Sequence, residues 1–240
     1  LLQYARNTQR SALPHLRGLH REEYSEYVGM DAATRRNLEI ESSASGKAAH
    51  TRAAVLDHCA TSMGSRLLRR WLQRPLRDRA QLQARHQCVG RLAEERLYEG
   101  LQPPLRNIAD IERILTRIAL RSARPRDLAG LRDSLAQIPA VRRLLDGQPD
   151  PLLQDLTARI GEHPETHALL EKAILESPPL LIRDGGVLAR GYDDTLDELR
   201  DLSEHGDQHL LDMETRERER TGIATLKIRY NKVHGFYIEI

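Results

Sequence analysis

Apolar residues recur at three-and-four spacing along most of this chain, which predicts helix after helix. Leu1–Arg10 reads as a short helical piece ended by Pro14, whereas Leu16–Val28 has no clean period and leaves room for strands. Asp31 is placed to cap a short helix through Asn37, and Ser42–Gly46 is a loop of small residues. Thr51–His58 reads as a helix. In the next one Met63, Leu67, Leu68, Trp71 and Leu72 share an apolar face, with Trp71 as its core anchor, and Pro75 stops it. Asp78 caps a further helix that turns Leu82, Val89 and Leu92 inward. Leu97, Leu101 and Leu105 mark another, broken at Pro103-Pro104. Ile108, Ile111, Ile114, Leu115 and Ile118 define one more; Leu128, Leu131, Leu135 and Ile138 define its successor, with Pro125 near the start. Pro139–Leu145, Pro151–Ile160 and Pro164–Leu175 each begin on a proline, which suits a first helical turn. Asp184-Gly185 between apolar runs predicts a hairpin within Leu180–Ala189.

The longest periodic stretch is Tyr192–Arg220. Tyr192, Leu196, Leu199, Leu202, Leu210 and Met213 make one stripe, and Asp193 or Asp194 is placed to cap it. Asp212→Arg216 and Glu214→Arg218 are acid-before-base pairs at i,i+4, so the sequence predicts a single rod about 40 Å long. Gly222 stops it. The period then changes to two: Leu226, Ile228 and Tyr230 alternate with Lys227, Arg229 and Asn231, and Phe236, Ile238 and Ile240 alternate after His234-Gly235. The expected fold is mainly α, an irregular helical bundle with a long lever-like helix and short β-hairpins.

Composition narrows the classes. With 240 residues and 40% hydrophobic content the chain holds one large domain or two small ones. No run of 18 apolar residues occurs, so no membrane span is expected, and two cysteines, Cys59 and Cys88, suit a reducing cytoplasm. Net charge is only +2, yet just four of the 37 basic residues are lysine. GC-rich coding explains an arginine excess more readily than selection for phosphate contact does. One Trp, one Phe and seven Tyr argue against a base-stacking surface for single strands, so any nucleic-acid contact would be with backbone.

Several motifs fail on inspection. Gly46-Lys47 lacks the Gly-rich cradle and the following hydroxyl of a phosphate loop, since position 41 is Glu and position 48 is Ala. His205 and His209 lie four apart with Asp212 beyond, and His163 and His167 are also four apart, but neither pair has a third ligand, so no metal site is expected. Arg35-Arg36 and Arg69-Arg70 fit exposed helix faces as well as phosphate contacts. No triad, paired carboxylates or cofactor loop supports a catalytic or cofactor site.

Met30-Asp-Ala-Ala-Thr-Arg-Arg-Asn-Leu-Glu-Ile40, Met63-Gly-Ser-Arg-Leu-Leu-Arg-Arg-Trp-Leu72 and Pro75-Leu-Arg-Asp78 are followed in order by further segments. These are Asp110–Ile114, Ala123–Leu128, Arg183–Val187 with Gly191-Tyr192, Glu217–Gly222, Leu226-Lys-Ile228 and Asn231–Ile238. Together they resemble the central part of the MutS family of bacterial DNA mismatch-recognition proteins. The resemblance implies that residues 1–13 end a connector domain, 14–225 form a helical core and lever, and 226–240 begin a clamp domain that grips DNA backbone. It also implies a parent protein that forms homodimeric or heterodimeric rings on mismatched duplex DNA, hydrolyses ATP with Mg, and engages downstream mismatch-repair proteins. The family's mispair-reading Phe-x-Glu motif has no counterpart, because Phe236 is followed two positions on by Ile238. Both chain ends are expected to lie inside a longer protein. In the family a returning helix packs along the lever, so the Leu196–Met213 stripe is expected to be open here.

Lys227, Arg229 and Asn231 on one strand face, with Lys232 in the turn, are then the candidate contacts to DNA phosphates. The same pattern also suits the solvated face of a half-buried hairpin. A generic helical scaffold for protein interaction is the competing functional class, and the strand unit at 226–240 separates the two.

Overall fold

In the computed structural model, which describes residues 2–9, 24–233 and 235–240, polar side chains start helix after helix. After α1 (Leu2–Gln9), Asp31 accepts from the Thr34 N–H at 2.7 Å and opens α2 (Ala32–Asn37). Thr51 caps α3 (Arg52–Leu56) and Thr61 caps α4 (Ser62–Gln73). Asp78 caps α5 (Arg79–Glu94), followed by α6 (Leu97–Arg106). Asp110 caps α7 (Ile111–Ala119), and Pro125 occupies the first turn of α8 (Pro125–Leu145). Asp150 caps α9 (Pro151–Arg159), and α10 (Pro164–Ala173) again starts on proline. Each cap satisfies an amide that the first helical turn leaves without an intrahelical acceptor.

These helices belong to the first of two compact units, Leu1–Val187 and Leu188–Ile240. In the first, α8 is the central element: α6, α7, α9 and α10 all pack against it. Cys88, Leu101, Val141, Leu145 and Leu153 form a buried cluster where α5, α6, α8 and α9 meet. Polar groups fasten neighbours to α8 as well. Ser134, fully buried, accepts from the Ala109 N–H at 2.9 Å and donates to the Gly130 carbonyl. Arg132, only 9% exposed, donates from Nη1 to the carbonyls of Ile174 (3.2 Å) and Leu175 (3.1 Å) and from Nη2 to that of Glu176 (3.2 Å). It thereby serves the carbonyls of the C-cap residue Ile174 and of the two residues beyond it.

Several elements depart from the sequence expectation. Pro103 and Pro104 lie inside α6 and Pro139 lies inside α8, so neither helix is broken there. Packing of Leu101, Val141 and Leu145 in the core outweighs the lost amide hydrogen bonds. Trp71 is not a core anchor. It is 42% exposed, with the Arg85 guanidinium 3.9 Å from its ring centroid, a cation–π contact on the surface. On α5 the buried residue is Cys88, which turns Val89 outward to solvent. The Leu180–Ala189 hairpin is absent: Ile182–Asp184 form a 3-10 turn, and Leu175 donates to the Val187 carbonyl at 3.1 Å. Pro178-Pro179 supply no amide donors upstream of that turn, and Ile182 is exposed, so nothing drives a strand pair. Pro14 and most of Leu16–Val28 lie outside the described residues; within the remainder, Tyr27 bridges Leu76.

Charge joins α4 to α7. Arg66 holds both Asp110 oxygens (2.6 and 2.7 Å) and Glu112 (2.6 Å), and Ser62 Oγ adds a bond to Asp110 at 3.2 Å. The Arg66 hydrogen bonds lower the Asp110 carboxyl from 3.8 to about 2. A depressed folded-state value stabilises the fold above the ordinary carboxyl range, and that contribution is lost as pH falls from about 4 toward about 2. Asp110→Asn, which can still cap, is expected to lower the urea midpoint at neutral pH and to converge with the parent chain in acid. A midpoint gap unchanged down to about pH 2 would be the contrary result.

In the second unit, Asp193 accepts from the Leu196 N–H at 2.9 Å and opens α11 (Asp194–Glu204). Here the expected single rod is in two pieces. His205 (φ −119°, ψ 24°) leaves the helical region and α12 (Gly206–Thr221) begins immediately after it. Gly206 is the weakest helix former of the stretch, and the charge pairs that argue for continuity lie beyond it. Gly222, at φ 74°, ends α12 in the left-handed region as expected. Of the predicted stripe, Tyr192, Leu199, Leu202 and Met213 are exposed while Leu196 and Leu210 are half-buried, so most of it is open.

Candidate nucleic-acid interface

A two-stranded antiparallel hairpin, β1 (Lys227–Asn231) and β2 (Gly235–Glu239), follows α12. Its register pairs Lys227 with Glu239, Ile228 with Ile238, Arg229 with Tyr237, Tyr230 with Phe236 and Asn231 with Gly235. The connection is tight: the Val233 N–H donates to Asn231 Oδ1 at 3.0 Å, and Gly235 sits at φ 73°, where a side chain would be strained.

An isolated hairpin of this length is marginal in water, so something must hold it. Glu214 and Arg218 of α12 do so. Glu214 Oε2 accepts from the Ile228 N–H at 2.9 Å, Arg218 Nε donates to the Leu226 carbonyl at 2.7 Å, and the two side chains pair with each other. Leu226 is buried at the join. The sequence shows this acid–base pair only as helix support; the structure makes it the bracket for the strand root. Asp212 instead accepts from Gln208 Nε2 at 3.0 Å.

The four candidate phosphate contacts come together as alternation predicts. Lys227, Arg229 and Asn231 share one face, and Lys232 stands in the turn beside them. Lys227, Arg229 and Lys232 are exposed and Asn231 is half-buried. Glu239, absent from the sequence reading, changes the electrostatics: Arg229 Nε donates to Glu239 Oε2 at 2.8 Å. Three cations against one carboxylate leave the face positive: Glu239 pairs with Arg229 and stands opposite Lys227 in the register, while Lys232 lies in the turn away from it. Placing the turn at 232–234 would have set the register and revealed Glu239 on this face. The opposite face is apolar and open: Tyr230 and Phe236 pack ring to ring with centroids 5.0 Å apart, and both are exposed along with Ile238.

His205, Asp201 and Glu204 place ligand atoms within 4.8 Å of one another, but Arg190 already binds both carboxylates, Asp201 at 2.9 Å and Glu204 at 2.8 Å. His163 is the residue before α10, at φ 50°, with no side-chain capping bond. The Gly46-Lys47 loop is organised by Glu39, whose Oε1 accepts from the Ala44 N–H at 2.6 Å. Among the described residues no helix is long and apolar enough to cross a membrane.

The family model for MutS domain III matches residues 33–231, from the first turn of α2 to the last residue of β1. The matched span takes in the α8-centred bundle, α11, α12 and the first strand of the hairpin. By that match the chain belongs to the MutS domain III family, a domain of the mismatch-repair protein MutS.

Proposed function

We propose that this chain is the transmission segment of a mismatch-recognition ATPase, carrying nucleotide-driven movement to a clamp that holds the DNA backbone. One observation carries the reading: a single family match runs from the helical bundle into a hairpin whose polar face bears Lys227, Arg229, Asn231 and Lys232. Residues 14–225 serve as core and lever, 226–240 as the root of the clamp, and 1–13 as the end of a connector. ATP, Mg, the dimer and the downstream repair partners belong to the parent protein. Helical cores of this kind switch between discrete packings, and a helix attached to them moves what is fixed at its far end. The bracket formed by Glu214 and Arg218 supports that role, because it fixes β1 to α12.

Backbone contact has a salt signature. Each phosphate neutralised adds about 0.9 to the slope of log affinity against log salt on duplex DNA. In the intact protein, Lys227→Glu with Lys232→Glu is expected to weaken duplex binding and reduce that slope by about 2, with little change between matched and mismatched duplexes. An unchanged slope would reduce the face to an ordinary solvated surface. Arg229→Gln is expected to act less, because Glu239 already shares its charge.

A further inference from the structure

We propose that His205–Gly206 is a hinge, about which α12 and the hairpin move as one body relative to α11. The inference deepens the transmission reading and rests on it for its use; the joint itself is a property of the chain. Side-chain hydrogen bonds lie to either side of His205–Gly206, and across it Asp201 meets His205 and His209 only through charge. Upstream, α11 is laced to the residues that lead into it. Arg190 spans Asp201 and Glu204, Arg200 bonds Asp197 (3.0 Å) and the Leu188 carbonyl (2.9 Å), and the Gly191 N–H reaches Asp197. Downstream, α12 is bracketed to β1 through Glu214 and Arg218. For residues between Glu204 and Glu214 the side-chain hydrogen bonds, Gln208 to Asp212 and Thr215 to the Leu211 carbonyl, are internal to α12.

The joint is also soft by its chemistry. No side chain caps the new helix start at His205, so the first amides of α12 have only solvent to serve them. Gly206 is not demanded by packing, since a methyl group there would meet no atom within 4 Å. A glycine that neither a close approach nor a capping bond requires lowers helix propensity at one point in an otherwise charged, helix-forming stretch. Neither α11 nor α12 fully buries any residue, so no core contact stiffens the break.

Spin labels at Glu198→Cys and Arg216→Cys, both exposed positions, in a Cys59→Ser background read the joint directly in the full chain. A continuous helix would set those positions about 27 Å apart. The expected result is a broad distance distribution in the parent chain, which Gly206→Ala narrows toward that separation. A narrow distribution in the parent chain, straight or bent, or equal breadth in both, would overturn the hinge. If Gly206→Ala narrows the distances but leaves ATP-driven DNA release by the intact protein unchanged, the hinge stands and the transmission reading fails.

Discussion

Arg132→Met is expected to destabilise the helical unit by about 3 kcal/mol or more, measured as the shift in urea midpoint at constant slope. The guanidinium reaches three successive carbonyls, Ile174, Leu175 and Glu176, from a position almost closed to water. Hydrogen bonds to a charged donor contribute about 1.5–3 kcal/mol each, and methionine fills the volume while leaving those acceptors unserved. Asp133, the residue that Arg132 also contacts, is mostly exposed and rehydrates at little cost. Arg132→Lys should fall between the two, because one ammonium cannot span the same set of acceptors. Faster hydrogen exchange at the Leu175 amide, which donates to Val187, is the local sign. A loss below about 1 kcal/mol would mean that water reaches the carbonyls once the side chain is gone.

Leu153→Ala is expected to cost about 2–5 kcal/mol, the range for truncating a buried leucine where the surroundings close in only partly. Leu153 is 2% exposed and meets Cys88, Leu101, Val141 and Leu145, side chains from three other helices. Such a site collapses poorly, because filling the gap would require several helices to shift together. Thermal unfolding of Leu153→Ala beside Leu153→Met checks the mechanism: methionine keeps the volume and should lose less than about 1.5 kcal/mol. Equal losses in both would point to shape, not cavity, as the cause.

The features that were legible in the sequence are those set by neighbours along the chain. Asp31, Asp78 and Asp193 cap because a short acceptor reaches amides two or three residues on, and Gly222 stops a helix because its φ is positive. The hairpin faces follow from alternation alone. Properties that depend on distant partners were not legible. Pro103, Pro104 and Pro139 look like breaks because their penalty is local, whereas the burial that overrides it comes from other helices. Trp71 lies on an apolar face, but the periodicity gives no sign that Arg85 covers its ring. Arg132 reads as one arginine among many until α10 brings three carbonyls to it. The joint at Gly206 was hidden for the opposite reason. A single glycine costs only about 1 kcal/mol in a helix, and the apolar stripe on either side outvoted it.

The two prolines of α6 bear on how the chain comes off the ribosome. Leu97–Arg106 lacks two backbone donors of its own and lies along α8, whose sequence is translated later. Until Leu145 has cleared the exit tunnel, Leu101 has no α8 surface on which to settle. That interval is when a chaperone would find this segment, and when a crowded polysome would be most prone to tangle it.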